Sequence, residues 1–158
     1  MSGLQNEPEP VIRESELTED LLLQLIRFSE DWAAEQSCHG YRKNERSDIE
    51  GERIFTAFLG KEMVGYLFGH MERAKNSSSI MPDRTPYFEV EELYVRPEYR
   101  SRGIGGKLYE AAKEVVSSEG AAQFIMLSTA TKNWKAILHF YLEELGMEFW
   151  SARLFQKL

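Results

Sequence analysis

The stretch Arg100-Ser101-Arg102-Gly103-Ile104-Gly105-Gly106-Lys107-Leu108 is the part of the sequence from which the fold can be worked out. An apolar, β-prone run precedes it at 90–95, and apolar residues continue behind it at helical spacing through 104–115. The segment therefore predicts a strand, a basic glycine-rich turn and a helix. Glycines allow the backbone to approach a ligand, and the first N–H groups of a helix lack internal partners. Together with the helix dipole and the cations Arg100, Arg102 and Lys107, they predict a phosphate or pyrophosphate site.

The glycine spacing narrows the kind of phosphate site. A Walker A loop needs Ser or Thr after Gly106-Lys107, where this chain has Leu108, and the G-x-G-x-x-G dinucleotide fingerprint needs glycine at that same position. The pattern that does fit is R-x-x-G-x-G, formed by Arg100, Gly103 and Gly105. An ordinary strand-to-helix turn, with glycine for geometry and arginine for solubility, is the alternative that the motif alone leaves open.

The size and composition of the chain predict one domain spanning 1–158, with a loose lead over 1–10. The chain has 158 residues, of which 42% are hydrophobic and 28% are charged, as is typical of a globular protein with a single core. The sequence contains no run of 18 apolar residues, which would indicate a membrane span. Its first residues lack the basic start and apolar core of a signal peptide. We therefore expect no membrane partner.

Charge and cysteine content argue against further classes. The net charge of −7 argues against a dedicated nucleic-acid binder and would suit cationic small molecules, although solubility explains it equally well. Cys38 is the single cysteine of the sequence, so the chain can form neither an internal disulfide nor a cysteine-based metal cluster. We therefore expect a reducing, cytoplasmic location.

The remaining hydrophobic pattern predicts a mixed α/β fold, with hairpins in the first half and alternating strands and helices in the second. Strands are predicted at 11–13, 53–59, 63–71, 87–95 and 123–128, with two short final strands at 148–150 and 154–156. Helices are predicted from Thr18 as N-cap to about Ala34, near 47–49, from the glycine-rich turn to about 118, and from about Asn133 to 145. Gly65 and Gly69 are expected to mark a bulge or a close approach. Two long irregular segments, at 35–51 and 74–86, are predicted to be functional loops.

Two segments in this order resemble a known family. The run Leu93-Tyr94-Val95-Arg96-Pro97-Glu98-Tyr99-Arg100-Ser101-Arg102-Gly103-Ile104-Gly105 resembles the core motif of the GNAT superfamily of N-acetyltransferases. The second segment looks like the family's N-x-x-A…F-Y…G-F pattern, and it consists of Asn133-Trp134-Lys135-Ala136, Phe140-Tyr141 and Leu145-Gly146-Met147. Met147 stands in place of the usual aromatic, and residues 1–86 match the family only in element order. The resemblance implies a GNAT-type twisted, mostly antiparallel sheet (α/β, α+β), flanked by helices, whose fourth and fifth strands splay apart.

The resemblance also implies that acetyl-CoA is the cosubstrate. Its pantetheine arm would enter the gap between the splayed strands and pair with the free backbone of Leu93, Tyr94 and Val95. Its pyrophosphate would lie on the turn, and the residues implied there are Arg100, Arg102, Gly103, Ile104, Gly105, Gly106 and Lys107. Asn133 would hydrogen-bond the pantetheine arm, and it could serve as a helix N-cap at the same time.

The reaction implied by the resemblance is direct attack of a neutral amine on the thioester carbonyl, with no metal and no covalent intermediate. It needs positioned reactants, a base for the ammonium, a donor to the oxyanion and an acid for the leaving sulfur. Tyr141 matches the family's general acid, with a core tyrosine as the alternative interpretation. Glu91, acting through water, or Glu89 matches the base of family members. Glu89 and Glu92 are alternatively expected to bind the substrate ammonium.

Strand alternation predicts how these side chains divide between the two faces of the sheet. One face is expected to carry Glu89, Glu91, Leu93 and Val95, and the other Phe88, Val90, Glu92 and Tyr94. A negatively charged strand end that faces solvent is the alternative interpretation of the three carboxylates.

The acceptor is expected to bind among the irregular loops. His39, Tyr41 and the segment 74–86 occupy places where the family builds its acceptor pocket, so we predict that His39, Tyr41 and Glu92 bind the substrate. We expect a small cationic amine: a polyamine, an amino acid or an aminoglycoside. A protein lysine or N-terminal acetyltransferase and a non-catalytic acyl-CoA-binding module are the alternatives. Members of the family are often dimers, and the apolar C-terminal residues within 149–155 could form such an interface, so we expect a homodimer.

Overall fold

The computed structural model describes residues 8–76 and 79–158, and its elements follow the predicted order. The strands are β1 (Val11–Ser15), β2 (Arg53–Leu59), β3 (Glu62–Arg73), β4 (Pro86–Val95) and β5 (Phe124–Leu127). The helices are α1 (Glu19–Glu35), α2 (Arg46–Ile49), α3 (Ile104–Ser118) and α4 (Trp134–Leu138), with a 3₁₀ turn at Pro97–Tyr99 and a π-helical turn at His139–Glu144. Most of the expected N-terminal lead, 1–7, lies outside the described residues, as do residues 77 and 78 of the loop 74–86. Within the described ranges, no helix is long and apolar enough to cross a bilayer.

The five strands form one sheet in the order β1-β2-β3-β4-β5. The first four strands are antiparallel neighbours, and β5 runs parallel to β4. β5 pairs only with Tyr87–Val90, whereas β4 continues to Val95 against β3. The predicted mixed, mostly antiparallel sheet flanked by helices is therefore confirmed, and its fourth and fifth strands part beyond Val90.

Helices cover both faces of the sheet because α1 and α3 each present an apolar stripe. α1 begins after Thr18, whose hydroxyl accepts a hydrogen bond of 3.2 Å from the Leu21 N–H, as the N-cap prediction requires. The cluster on the α1 face joins Leu22, Leu25 and Phe28 to Tyr66, Phe68 and Tyr94. The cluster on the α3 face joins Ile104, Leu108 and Ala112 to Phe55, Leu67 and Phe88. Since each large buried side chain contributes about 1.5–3 kcal/mol, these two clusters hold the sheet between the helices.

A β-bulge in β4 overturns the predicted alternation of side chains. Phe68 pairs with Glu92 and Gly69 pairs with Val90, so Glu91 is an extra residue without a partner on β3. One extra residue reverses the alternation beyond it. The α3 face accordingly receives Phe88, Val90, Leu93 and Val95, and the α1 face receives Glu89, Glu92 and Tyr94. The prediction that Glu92 shares a face with Val90, and Glu89 with Leu93, is wrong for this reason.

The two final strands predicted at 148–150 and 154–156 are not formed. A strand needs a hydrogen-bonding neighbour, and the residues after the π-helical turn have none among the parts of the chain that the structure describes. Trp150 donates from Nε1 to the Ser79 hydroxyl over 2.8 Å, and the Phe155 ring lies edge-on to His39. The apolar side chains left exposed in this segment are Phe149, Trp150, Leu154, Phe155 and Leu158.

Candidate active site

The gap between β4 and β5 presents backbone groups of Leu93 and Val95. The Arg96 N–H donates to the Val64 carbonyl on β3 over 2.9 Å. In an antiparallel pair, every second residue of a strand directs its backbone N–H and C=O to the same neighbouring strand. Tyr94 therefore turns its backbone to β3, and its ring is buried on the α1 face. Leu93 and Val95 turn theirs to the side from which β5 has departed. Of the three residues predicted to pair with the pantetheine arm, only Leu93 and Val95 present backbone groups to the gap, and Tyr94 does not. Binding of the arm by these residues stays a prediction.

The glycine-rich turn places a helix N-terminus next to Val95. Ser101 and Gly103 adopt left-handed backbone conformations, with φ angles of 61° and 78°, and α3 starts directly after Gly103. A Cβ atom added to Gly105 would lie 3.4 Å from the ring of Phe140 and 3.8 Å from Val95. Glycine therefore lets α3 begin close to the gap, where its first N–H groups lack helical partners. This backbone arrangement fits a pyrophosphate.

Arg100 connects the turn to the end of α1. Its Nε donates to the Val95 carbonyl over 2.7 Å, and its terminal nitrogens donate to the two oxygens of Glu35 over 2.8 and 3.1 Å. The guanidinium also lies over the Tyr94 ring, 5.4 Å from its centroid. These contacts position the turn against α1, and a contact of Arg100 with pyrophosphate stays a prediction.

The other two cations of the turn also contact protein groups. Arg102 lies over the Tyr99 ring and donates to the Glu98 carbonyl over 3.3 Å. Lys107 forms an ion pair with Glu9. Both side chains are thus engaged by protein groups. The backbone N–H groups at the start of α3 are the donors best placed to bind an anion.

Asn133 lies at the N-cap position of α4, but its side chain makes no capping hydrogen bond. Its backbone N–H donates to the Thr131 hydroxyl over 3.1 Å, and the residue is exposed. Capping therefore does not compete with the predicted contact between the Asn133 amide and the pantetheine arm.

Tyr141 lies on the π-helical turn that follows α4, and such turns occur frequently at functional sites. Burial, with contributions from Cys38 and Tyr109, raises the pKa of its hydroxyl to about 12. A phenol with this pKa keeps its proton at neutral pH, which is what a general acid requires. The catalytic role of Tyr141 stays a prediction that this environment suits.

A cleft of about 460 Å³ opens on the α1 face of the sheet. The end of α1, the loop that follows it, β3, β4 and the loop after β5 all contribute to its wall. Its charged or titratable lining residues include His39, Tyr41, Arg42, Asp48, Glu52, His70, Glu91 and Glu92. Arg42 donates to both oxygens of Asp48 at 2.9 Å, so this pair contributes little net charge. Carboxylates therefore dominate the charge of the cleft.

Glu92 is buried at the wall of the cleft, where three donors hold its carboxylate. Tyr66 donates over 2.6 Å, the Asn44 amide over 2.8 Å and Tyr41 over 3.0 Å. The pKa of Glu92 is raised, because the effect of burial outweighs these hydrogen bonds, which lower it. The Tyr41 ring also packs on Trp32, with centroids 4.4 Å apart. Glu92 thus fastens the loop between α1 and α2 to β4, and a substrate ammonium would share it with these donors.

Glu91, the bulge residue, is the more accessible carboxylate of the strand. Its side chain is 48% exposed, and its Oε1 atom lies 3.9 Å from Nδ1 of His70. Glu89 is half-buried, and burial together with the charge of Glu91 raises its pKa. The bulge therefore brings all three predicted carboxylates to one side of β4, whereas regular alternation would divide them.

Sequence reasoning missed Asn44, Glu52 and His70. Nδ1 of His70 lies 2.9 and 3.1 Å from the two oxygens of Glu52, which is 18 positions away in the chain. Asn44 reaches Glu92 across 48 positions. The only local signal was that Asn44 belongs to the irregular segment 35–51, which was predicted to be functional.

The loop after α1 also contacts the loop after β5. Cys38 and Thr131 form an isolated antiparallel bridge, and the His39 N–H donates to the Ala130 carbonyl over 2.9 Å. This contact places Cys38 at the cleft wall and close enough to Tyr141 to affect its pKa. The predicted acid and the acceptor loop are thereby brought to neighbouring parts of one site.

Solved structures share this architecture. An aminoglycoside acetyltransferase from an uncultured soil metagenomic sample is similar with a TM-score of 0.67 and 20% sequence identity, covering 99% of this chain and 99% of that chain. AAC(6')-Iy, in complex with the bisubstrate analog CoA-S-monomethyl-acetylneamine, is similar with a TM-score of 0.66 and 17% identity, covering 95% and 98%. At these identities the likeness indicates a shared fold alone.

Sequence comparisons place the chain in a family. Thialysine N-epsilon-acetyltransferase of Sus scrofa is 42% identical over 48 residues, which span 30% of this chain and 28% of that protein. The profile of the acetyltransferase (GNAT) family matches residues 20–147, which include the glycine-rich turn, both strands of the gap and Tyr141. The match extends over most of the sequence, and the chain therefore belongs to the acetyltransferase (GNAT) family.

Proposed function

We propose that this acyltransferase moves an acetyl group from acetyl-CoA to the primary amine of a small cationic acceptor, such as a polyamine, an amino acid or an aminoglycoside. The observation that carries the proposal is the acidic cleft. Glu52, Glu91 and Glu92 line it, and Arg42, which lines it too, is paired with Asp48. Excess negative charge in a cleft concentrates cationic ligands.

The gap and the turn supply groups that fit acetyl-CoA. The outward backbone of Leu93 and the N–H of Val95 offer an extended arm the hydrogen bonds that β5 does not use beyond Val90. The Val95 carbonyl already accepts a hydrogen bond from Arg100. The N-terminus of α3 offers unpaired N–H groups to a pyrophosphate. The Asn133 amide is exposed, and by the family resemblance it would add a contact to the arm. Acetyl-CoA supplies the activated acetyl thioester, and the chain aligns it with the acceptor.

Proton transfer is assigned to two parts of the site. Tyr141 donates a proton to the leaving sulfur, since its raised pKa keeps it protonated. The acceptor ammonium loses a proton beside β4, where Glu91, which lines the cleft, and Glu89 were predicted as bases. His39, Tyr41 and Glu92 border the acceptor from the loop after α1 and from β4.

The names of similar proteins agree with a cationic amine acceptor. One is called an aminoglycoside acetyltransferase and another a thialysine N-epsilon-acetyltransferase.

The test is release of free thiol from acetyl-CoA across a panel of polyamines, amino acids, aminoglycosides and a lysine peptide. We expect saturable turnover with one class of small amine and little with the peptide. Glu91→Gln should raise KM for that amine roughly tenfold, because a charged hydrogen bond contributes about 1.5–3 kcal/mol. Glu110→Gln, an exposed change on α3, is the matched control and should leave KM unaltered.

Two outcomes would contradict the proposal. Preferred turnover of the lysine peptide would assign the site to a protein acceptor. Binding of acetyl-CoA without turnover of any amine would indicate a binding module.

We further propose that two copies associate through the C-terminal segment 148–158. Large exposed apolar side chains rarely cluster on the surface of a monomer, yet Phe149, Leu154 and Phe155 are all exposed here. Sedimentation should give a dimer for the wild-type chain and a monomer for the double variant Leu154→Ser, Phe155→Ser. A monomeric wild-type chain at micromolar concentration would contradict this association.

A cytoplasmic location is also proposed, from the use of a single, free cysteine. Fractionation of cells that express the untagged chain tests it, and recovery in a secreted or membrane fraction would overturn it.

A further inference from the structure

A histidine surrounded by carboxylates lies in the wall of the acceptor cleft. His70, on β3, has its Nδ1 atom 2.9 Å from Glu52 and 3.9 Å from Glu91, and its Nε2 atom 3.4 Å from Glu72. Glu89 is its register partner on β4. The imidazole is 29% exposed, whereas Glu52 is only 14% exposed. Both side chains line the cleft, so the ring is accessible from it.

Glu52 orients the imidazole. Both of its oxygens lie within hydrogen-bond distance of Nδ1, which favours the neutral tautomer with the proton on Nδ1 and a lone pair on Nε2. Once Nε2 gains a proton, Glu72 lies 3.4 Å from it and Glu52 remains at Nδ1. Both nitrogens of the imidazolium then face a carboxylate, so the surroundings stabilise the protonated product.

The same contacts give His70 a basicity suited to neutral pH. Burial alone would lower its pKa, but the hydrogen bond and charge of Glu52, with the charges of Glu91 and Glu72, outweigh burial and raise the pKa. An acceptor ammonium resembles lysine, with a pKa of about 10.4, and a free carboxylate, at about 4.3, is a weak base for it. A general base works best when its pKa lies near the operating pH, which favours an imidazole over the carboxylates.

We propose that His70, oriented by Glu52, is the general base that takes the proton of the acceptor ammonium, while Glu91 holds that ammonium beside it. The step is a single proton transfer. One N–H bond of the ammonium breaks, and its electron pair becomes the lone pair of the attacking amine. The proton passes through one water to Nε2 of His70, because Glu91 lies nearest to the other ring nitrogen, 3.9 Å from Nδ1. His70 later returns the proton to solvent. This inference rests on the proposed function, because it requires an amine acceptor.

The decisive measurement is the pH dependence of kcat and of kcat/KM for the amine found in the panel. For the wild-type chain we expect both to fall on the acid side of a pKa above 6.5, the ordinary value for histidine. His70→Gln should lose this acid limb and about 100-fold of kcat at pH 7. Glu52→Gln should keep the limb but move it to lower pH, because the largest factor that raises the pKa of His70 is removed. Glu91→Gln should raise KM and leave the limb in place.

Controls separate a base from a merely structural residue. His139→Gln removes a 65% exposed histidine from the π-helical turn and should leave the profile unchanged. A titration of the imidazole by NMR, in the absence of substrate, should show the pKa of His70 falling in the Glu52→Gln variant. Recovery of the native circular dichroism spectrum in each variant shows that it is folded.

Three outcomes overturn the assignment. An acid limb that persists in His70→Gln assigns the base elsewhere. A limb confined to kcat/KM, with kcat independent of pH, means that protonated His70 only competes with the amine for carboxylates. Silence of the wild-type chain toward every amine refutes the proposed function, and the assignment of a base falls with it, whereas the first two outcomes leave that function intact.

Discussion

Replacing Tyr141 by Phe is expected to lower kcat for acetyl transfer about 100-fold, with little change in KM for acetyl-CoA. The substitution removes one hydroxyl and keeps the ring that packs against Phe140, with centroids 5.1 Å apart. A thiolate leaves more readily when a donor protonates it, and an ordinary thiol has a pKa of about 8.5. Because burial raises the pKa of Tyr141 to about 12, the hydroxyl still carries its proton throughout the pH range in which the enzyme is assayed.

The sign of the pH effect follows from that pKa. A general acid is lost as pH rises through its pKa, so Tyr141 should impose no basic limb on kcat between pH 7 and about pH 10. Single-turnover release of thiol, measured with the enzyme in excess over acetyl-CoA and with saturating amine, separates the chemical step from product release. Tyr109→Phe removes the hydroxyl of a neighbouring buried tyrosine and is the matched control, with kcat expected near the wild-type value. An unchanged single-turnover rate in Tyr141→Phe would show that the sulfur is protonated by another group.

Local sequence was sufficient for the elements that flank the gap. The apolar spacing of 53–59 predicted β2 with the bounds observed, and Thr18 was predicted as the N-cap that the structure contains. The glycine-rich turn could also be predicted, because its glycines and basic residues lie within a few positions of one another. Splaying of β4 from β5 could be inferred from the family resemblance and not from the residues of β5 themselves.

What local sequence could not supply is contact between distant segments. His70 and Glu52 are 18 positions apart, and Asn44 and Glu92 are 48 apart, so neither pair has a local signature. The prediction of two final strands was wrong for a related reason. The apolar residues at 148–156 favour strands, but a strand forms only beside another strand that can accept its hydrogen bonds. Its apolar residues remain exposed in the single chain.

The faces of β4 depended on one inserted residue. Alternation assumes an uninterrupted ladder, and the bulge at Glu91 breaks the ladder between Val90 and Glu92. The sequence held a clue in Gly69, which was expected to mark a bulge or a close approach. The structure shows both, since Gly69 pairs with Val90 at the bulge, and an added Cβ would lie 2.1 Å from the Glu89 carbonyl oxygen.

Gly69→Ala is therefore expected to cause a large loss of stability. A separation of 2.1 Å from a backbone oxygen cannot be relieved by rotating a side chain, so β3 and β4 must move apart at the bulge. Overpacking a rigid interior costs about 1–3 kcal/mol, and we expect a value of about 3 kcal/mol because the clash is with backbone. Urea unfolding measures it directly, and Tm should fall by roughly 6–12 °C. Gly120→Ala is the control: its φ is +64° with nothing within 4 Å of an added Cβ, so only about 1–2 kcal/mol of backbone strain is expected.

Gly69→Ala should also impair acceptor binding in the fraction of the protein that remains folded. The bulge is what brings Glu89, Glu91 and Glu92 to one side of β4, so moving the strands apart displaces Glu91 and Glu92, which line the proposed acceptor cleft. At a temperature where the variant is still folded, KM for the amine should rise. Affinity for acetyl-CoA, which we propose depends on the gap beyond Val90, should change less. Equal losses for both substrates would mean that the bulge supports the fold without shaping the acceptor cleft. A variant as stable as wild type would mean that β3 and β4 can separate at this point without cost.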